Sequence, residues 1–184
     1  MSKTVVLIGT LDTKSDEYAY VQDLLTERGH KVILVDGGVV GEPTITPDIS
    51  SNEVAAANGS SLKKLRSHGE RGNAMDVMSE GATKLIKELY DAGKINGIMG
   101  MGGSGGTALI TYVMKRLPVG FPKMVVSTVA SGDVRPYVGD QDITMMNSVV
   151  DIAGLNRISR QILGNAAGAM SGMVEQYIPV VEEK

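Results

Sequence analysis

The sequence has no cysteine and no tryptophan, and only one phenylalanine among its 184 residues. The absence of cysteine excludes disulfides, thiolate metal sites and cysteine nucleophiles. It also means that cysteine pairing gives no information about the cellular compartment. With six tyrosines as the other aromatic residues, the chain also has few platforms on which single-stranded bases stack. We therefore do not expect the protein to bind nucleic acid.

Long apolar runs and a strong net charge are also missing. The first apolar run, at residues 5–9, is too short for a signal peptide core or a membrane span. The net charge of −3 gives no general attraction to polyanions, so any affinity for phosphate must come from a local site. We expect a cytoplasmic protein with no membrane insertion, and the 42% hydrophobic content is typical of a globular fold.

Short β-branched runs alternate with helical periodicities along the chain. The predicted strands are residues 5–9, 32–36, 95–101, 121–127 and, shorter than the others, 142–146. The predicted helices are one around residues 21–28, a short one that starts with a capping box at 50–53, and longer ones at 74–92, 107–117 and 155–173.

This alternation predicts an α/β, Rossmann-like fold, a mostly parallel sheet with helices on both faces. The fold is expected either as one unit or as two small subdomains, residues 1–70 and 71–184, with the ligand cleft between them. In such sheets ligands bind outside the carboxyl ends of the strands. The loops predicted at 9–14, 36–38, 102–107 and 128–133 should therefore share one edge and form the site.

A glycine-rich stretch at residues 100–107 is the clearest functional signal, with five glycines in its first seven residues. Free N–H groups at a helix N-terminus bind an anion when no side chain stands in the way. Tight helix–sheet packing is the structural alternative, although it usually recruits only one or two glycines. The stretch predicts a phosphate site made by Gly103, Ser104, Gly105, Gly106 and Thr107.

Two known fingerprints fit this stretch only in part. As a Walker A motif, Gly100 and Gly105 have the right separation and Thr107 holds the position of the metal-binding hydroxyl, but Gly106 replaces the lysine. As a dinucleotide fingerprint, the glycines fit, but the ribose-binding acid expected about 20 residues later is missing. The loop is therefore neither an ordinary P-loop nor a typical NAD site.

The loop after the first strand carries hydroxyls, a carboxylate and an ammonium group. Its candidate ligand-binding residues are Gly9, Thr10, Asp12 and Lys14. Lys14 is a candidate for the positive charge that the glycine loop lacks. In the alternative reading, Asp12 or Thr13 caps the following helix and Lys14 is solvated.

Two further loops offer polar groups to a ligand. Asp36 either binds a ribose hydroxyl or forms a turn with the glycines that follow it, and the turn is slightly favoured. Thr128, Ser131 and Gly132 offer hydroxyls and N–H groups for a second phosphate or a ribose, with a simple turn as the alternative. Before the last helix, Asn156 is a candidate cap and Asp151 a candidate ligand-facing acid.

No catalytic constellation can be assembled, and neither catalytic residues nor metal ligands are assigned. His30, at a junction of helix and strand, is expected on the surface. His68 is expected on a solvated basic face formed with Lys63, Lys64, Arg66 and Arg71.

Four motifs in the same order, at residues 9–14, 100–107, 127–132 and 148–156, resemble the uncharacterised family that includes the tomato mosaic virus resistance protein. The resemblance spans essentially the whole chain. It implies an N-terminal ATP-binding domain, normally followed by a TIM-barrel-like domain that this chain lacks. It also implies a homo-oligomer, for which the small residues at 164–172 would allow close packing.

Three functions remain open from the sequence. The first is an ATP-binding domain, in which Lys14, a metal ion such as magnesium, or another chain balances the phosphate charge. The second is half of an enzyme that acts on a phosphorylated metabolite, and the third is a protein-interaction scaffold without enzymatic activity. Whether the protein is an enzyme is left open.

Overall fold

Alternating strands and helices build a single parallel sheet in the computed structural model, which describes residues 2–67 and 71–179. The strands are β1 (Thr4–Gly9), β2 (Lys31–Asp36), β3 (Gly97–Gly102), β4 (Lys123–Ser127) and β5 (Thr144–Asn147). The helices are α1 (Leu11–Glu27), α2 (Ser51–Ala57), α3 (Leu62–Ser67), α4 (Arg71–Asp91), α5 (Ser104–Met114), α6 (Arg135–Val138) and α7 (Arg157–Gln176), with a short 3₁₀ helix at Thr128–Ser131.

The strand order is β2-β1-β3-β4-β5, and every neighbouring pair is parallel. The predicted α/β, Rossmann-like fold is thus confirmed. Since β1 pairs with β2 on one side and with β3 on the other, strands from before and after residue 70 share one sheet.

Both faces of the sheet are covered, as the continuous apolar runs of the strands require. Along β1, Val6 and Ile8 pack into a core formed with α2, α4 and α5, whereas Val5 and Leu7 pack into a second core with α1 and α7. The described parts of the chain contain no helix long and apolar enough to cross a membrane.

Two helix starts confirm the capping signals read from the sequence. Ser50 and Glu53 form a capping box at α2. The side chain of Asn156 accepts the N–H groups of Ile158 and Ser159 at α7, so Asn156 is a cap, as predicted.

The expectation of a surface histidine at His30 is wrong. His30 is 4% exposed, and its Nε2 lies 2.7 Å from the Ser171 hydroxyl on α7. Because α7 packs over the turn between α1 and β2, the His30 side chain is buried. The periodicity of the sequence does not show this contact. His68 and the side chain of Arg71 lie outside the described residues.

Candidate functional site

The sheet has a topological switch point at the carboxyl ends of β1 and β3. From β1 the chain crosses to β2 on one side, while β3 and the later strands lie on the other side. In open parallel sheets the crevice at such a point is where ligands bind. The N-termini of α1 and α5 directly follow these two strands, so both helices begin at the crevice.

Both helices start earlier than the sequence predicted. The loops expected at 9–14 and 102–107 shrink to single residues, Thr10 and Gly103, since Leu11 and Ser104 are already helical. At α1 the Asp36 carboxylate from β2 accepts the Leu11 N–H at 3.1 Å and supports a first turn, which a kink at Lys14, with a φ of −137°, separates from the rest of the helix.

The N-terminus of α5 has no side-chain cap. Gly103 occupies the cap position without a side-chain hydrogen bond, and Thr107 is the residue whose N–H bonds back to the Gly103 carbonyl, at 2.8 Å. Helix geometry leaves the earlier N–H groups, those of Ser104, Gly105 and Gly106, without an intrahelical partner. They form a cluster of donors at the positive end of the helix.

The glycines of the stretch fall into two groups. A Cβ atom on Gly100 would lie 2.6 Å from the Ile8 carbonyl oxygen, and one on Gly102 would lie 3.0 Å from the Gly106 Cα, so close packing explains these two. At Gly103 and Gly106 an added Cβ would have no neighbour closer than 3.7 Å and 3.9 Å, and at Gly105 none within 4 Å. Packing within the domain therefore does not account for the last three glycines.

Thr107 does not offer the metal-binding hydroxyl that its Walker-like position predicted. The residue is fully buried, and its Oγ1 lies 2.6 Å from the Ser127 hydroxyl at the end of β4. The reason is the early start of α5, which turns Thr107 inwards. Its role in the structure is to join α5 to β4.

Replacing Thr107 by valine tests this assignment. The change keeps the shape of the side chain and removes two buried hydrogen bonds, to the Ser127 hydroxyl and, at 3.4 Å, to the Gly102 carbonyl, so we expect a loss of about 1–2 kcal/mol in the free energy of unfolding. Urea denaturation measures this loss. Any nucleotide affinity should stay within about twofold of wild type, and a much larger loss of affinity at unchanged stability would restore the ligand role of Thr107.

Gly9 has a packing role as well. The ring of Tyr18 lies where a Gly9 side chain would be, and the Tyr18 hydroxyl donates to the Ile8 carbonyl at 2.6 Å. Thr10 remains half-buried at the crevice, with its Oγ1 3.2 Å from the Thr13 hydroxyl.

A groove of about 320 Å³ opens beside the glycine stretch. It is lined by Thr128 and Ser131 on one side and by residues 147–151 on the other. Thr128 connects the two features, because its Oγ1 would lie 3.7 Å from a Cβ on Gly103. Gly132 forms a turn through its N–H, which bonds to the Val129 carbonyl at 3.0 Å. Larger cavities, of about 390 and 590 Å³, lie beside Tyr177, at the amino ends of the strands.

The wall of the groove contains a strained residue, Val149, which sequence reasoning missed. Its φ is +63°, a rare value for a β-branched residue. The Val150 N–H bonds to the Ser148 carbonyl at 2.7 Å, so Val149 is the central residue of a tight three-residue turn. Backbone strain of this kind costs on the order of 1–3 kcal/mol and occurs preferentially at functional sites.

Two side chains of α1 contact the segment that directly follows this wall. Lys14 Nζ donates to the Ile152 carbonyl at 2.5 Å, and a carboxylate oxygen of Glu17 accepts the Gly154 N–H at 2.5 Å. The Lys14 ammonium thus contacts the segment before α7. The sequence had instead made it a candidate for balancing the phosphate charge at the glycine stretch.

Asp12 and Asp36 form a pair of carboxylates beside the α1 N-terminus. Asp12 Oδ2 accepts the N–H groups of Val40 and Gly41, both at 3.0 Å. Asp36 Oδ1 accepts the Gly38 N–H at 2.8 Å, which is the turn favoured from the sequence. Asp12 Oδ1 and Asp36 Oδ2 are buried and have no partner at hydrogen-bond distance among the described residues.

Burial raises the pKa of the Asp36 carboxyl above its ordinary value. The N–H groups of Gly38 and Leu11 oppose this rise, and the Asp12 carboxylate adds to it. The raised pKa means that the folded protein binds the proton more tightly than the unfolded chain does. The ionised group therefore lowers stability at neutral pH, and wild type gains stability as the pH falls through the folded pKa.

We accordingly predict that the stability of wild type relative to Asp36→Asn increases as the pH is lowered from 7 towards 4. Asp133→Asn is the matched control with the opposite sign, because hydrogen bonds from Arg135 lower the pKa of Asp133. The advantage of wild type over that variant should stay constant from pH 7 towards 4 and decrease only at still lower pH, as the pH falls through the lowered folded pKa. Thermal unfolding across the pH range measures both differences, and parallel curves for the two variants would contradict the prediction.

Among the described residues, no group of three or more His, Asp or Glu side chains is placed to hold a metal ion. Magnesium commonly binds through one or two carboxylates, water and the phosphates of a ligand. Asp151 is an exposed carboxylate at the groove.

Several known proteins are similar to this chain. The model of an uncharacterised protein family, the UPF0261 N-terminal domain, matches residues 3–179. A UPF0261 protein of Clostridium tetani is 48% identical over 97% of this chain and 44% of its own length. A second, from Rhizobium meliloti, is 44% identical over 95% of this chain and 43% of its own length.

More distant similarities include a plant protein and a solved structure. The ToMV resistance protein Tm-1(GCR237) of Solanum lycopersicum is 34% identical over 94% of this chain and 25% of its own length. The crystal structure of Drosophila melanogaster DJ-1beta aligns over 96% of this chain and 95% of its own, at 16% identity and a TM-score of 0.43. The chain spans less than half the length of these curated relatives. With a family match over nearly all of its residues, the chain belongs to the UPF0261 family and corresponds to its N-terminal domain.

Proposed function

We propose that this domain binds ATP, with the phosphates at the N-terminus of α5. The observation that carries the proposal is the coincidence of uncapped N–H groups at Ser104, Gly105 and Gly106 with glycines at which an added Cβ would meet no close neighbour in the domain. Such a helix start favours an anion through both its donors and its dipole. The Ser104 side chain is exposed beside these donors and supplies a hydroxyl.

Charge compensation in this proposal comes from magnesium. The residues that line the groove include no lysine or arginine, and Lys14 binds the Ile152 carbonyl. Magnesium held by the phosphates and by water would balance their negative charges.

Nucleotide hydrolysis is not part of the proposal. A Walker lysine is missing at Gly106, and no catalytic base was assigned from the sequence. We propose that bound ATP regulates or energises the rest of the longer protein, since relatives are more than twice as long as this domain.

A phosphorylated metabolite is the second candidate ligand, for which the missing half of the relatives would supply catalytic groups. A thermal-shift panel of nucleotides and sugar phosphates separates the two candidates. Stabilisation by adenine nucleotides above all others supports ATP, whereas indifference to the base supports the metabolite. A scaffold would be stabilised by no phosphate ligand.

Isothermal titration of ATP, with and without magnesium, tests the first proposal directly. We expect saturable binding that is tighter with magnesium. Absence of binding at roughly millimolar ATP, equivalent to a binding free energy weaker than about −4 kcal/mol, would refute it.

The proposal includes self-association, as the resemblance implied. On α7, Cβ atoms added at Gly164 and Gly172 would meet nothing within 4 Å, whereas a Cβ on Gly168 between them would lie 3.4 Å from the Arg28 guanidinium, so a second helix would have room at the two outer positions. Sedimentation equilibrium is expected to give more than one copy per particle, and a monomer at all concentrations would contradict this expectation.

A further inference from the structure

We propose that the groove between the 3₁₀ helix and residues 147–151 holds the nucleoside part of the nucleotide, its ribose and base. The inference rests on the proposed function, in which α5 binds the phosphates. It assigns the half of the ligand that the glycine stretch cannot hold, because that stretch offers only N–H groups and one exposed hydroxyl.

The position of the groove fits this assignment. Thr128, which lines the groove, lies directly beside Gly103 at the α5 N-terminus. A ligand whose phosphates lie on Ser104 to Gly106 therefore continues past Thr128 into the groove. The volume of about 320 Å³ is at the lower end of the range for small-molecule sites.

The groove carries the groups that a nucleoside needs. The exposed carboxylate of Asp151 is an acceptor for ribose hydroxyls, as acids are in dinucleotide folds. The hydroxyl of Ser131 is exposed on the opposite side. The isopropyl group of Val149, 69% exposed, offers an apolar surface to the face of a base.

The strain at Val149 supports a role for its side chain. Glycine forms the same turn, at a φ of +63°, without strain. With 69% of Val149 exposed, the side chain gains little from packing within the domain. We therefore infer that valine occupies this position because its side chain contacts the ligand. Lys14 and Glu17 hold residues 152 and 154, directly after the wall.

The experiment compares Val149→Gly and Asp151→Asn with wild type, using ATP and inorganic tripolyphosphate as separate probes. Val149→Gly relieves the strain, so it should fold and raise the melting temperature. We expect its affinity for ATP to fall at least fivefold while its affinity for tripolyphosphate stays unchanged. Asp151→Asn should also weaken ATP binding at least fivefold, because the variant loses the acceptor for the ribose hydroxyls.

Val119→Gly is the matched control. Val119 is equally exposed, at 69%, but it lies at the amino ends of the strands, beside the cavity near Tyr177. Its replacement should change the affinity for neither probe. The inference would be overturned if both groove variants bound ATP with wild-type affinity, or if their affinities for ATP and tripolyphosphate fell equally. Either result would leave the proposed function intact. If wild type binds neither probe, the proposed function itself fails.

Discussion

Gly105→Val is expected to abolish ATP binding and to leave the fold intact. A Cβ at this position meets nothing within 4 Å in the domain, and the residue lies in the first turn of α5 without a positive φ. The valine side chain therefore costs the fold little, while it occupies the space in front of the free N–H groups. We expect the affinity measured by isothermal titration to fall at least tenfold, or about 1.4 kcal/mol.

Ala108→Val is the control for this variant. Ala108 is exposed on the same helix, about one turn further along, so the replacement brings the same β-branched side chain without blocking the N-terminus. It should bind ATP like wild type. Equal affinities of wild type and Gly105→Val would show that the phosphates do not bind at this helix start.

Gly100→Ala is expected to destabilise the domain severely. The added Cβ would lie 2.6 Å from the Ile8 carbonyl oxygen in β1, and within 2.8 Å of the Ile110 side chain from α5. The carbonyl belongs to the sheet backbone and cannot move away. We expect a loss of about 3 kcal/mol, the upper end of ordinary overpacking, which lowers the melting temperature by roughly 6–12 °C.

Gly105→Ala is the matched variant, with the same chemical change in the same stretch. Since alanine favours the helix and meets no neighbour, its stability should equal or exceed that of wild type by up to about 1 kcal/mol. Calorimetry of the two proteins separates glycines that the fold needs from glycines that leave space for a ligand. Similar melting temperatures would contradict the division of the stretch into two groups.

The fold was predictable because its signals are local. The apolar runs of the strands and the 3.6-residue periodicity of α4 and α7 follow directly from the sequence, as do the caps at Ser50 and Asn156. The prediction of the site at the carboxyl ends of the strands rests on a general property of parallel sheets. Helix starts were less accurate, since the early start of α1 depends on the Asp36 carboxylate from a different strand.

Individual roles at the site depend on contacts between distant residues, which no local pattern encodes. Thr107 becomes buried against Ser127, and Lys14 reaches a carbonyl 138 positions away. The positive φ of Val149 had no sequence signal, because valine is among the residues least expected there. These contacts form only in the tertiary structure. They determine which groups each side chain binds, but they do not change the fold.

The central claim is that the free N–H groups of Ser104, Gly105 and Gly106 bind the phosphates of ATP. Amide chemical shifts in ¹⁵N-labelled protein test it most directly, because each of these groups is observed separately during a titration with ATP and magnesium. Large, saturable shifts at these three amides, absent in Gly105→Val, are the predicted result. Unchanged shifts at all three amides while ATP binds elsewhere, or no shift anywhere at roughly millimolar ATP, would contradict the claim.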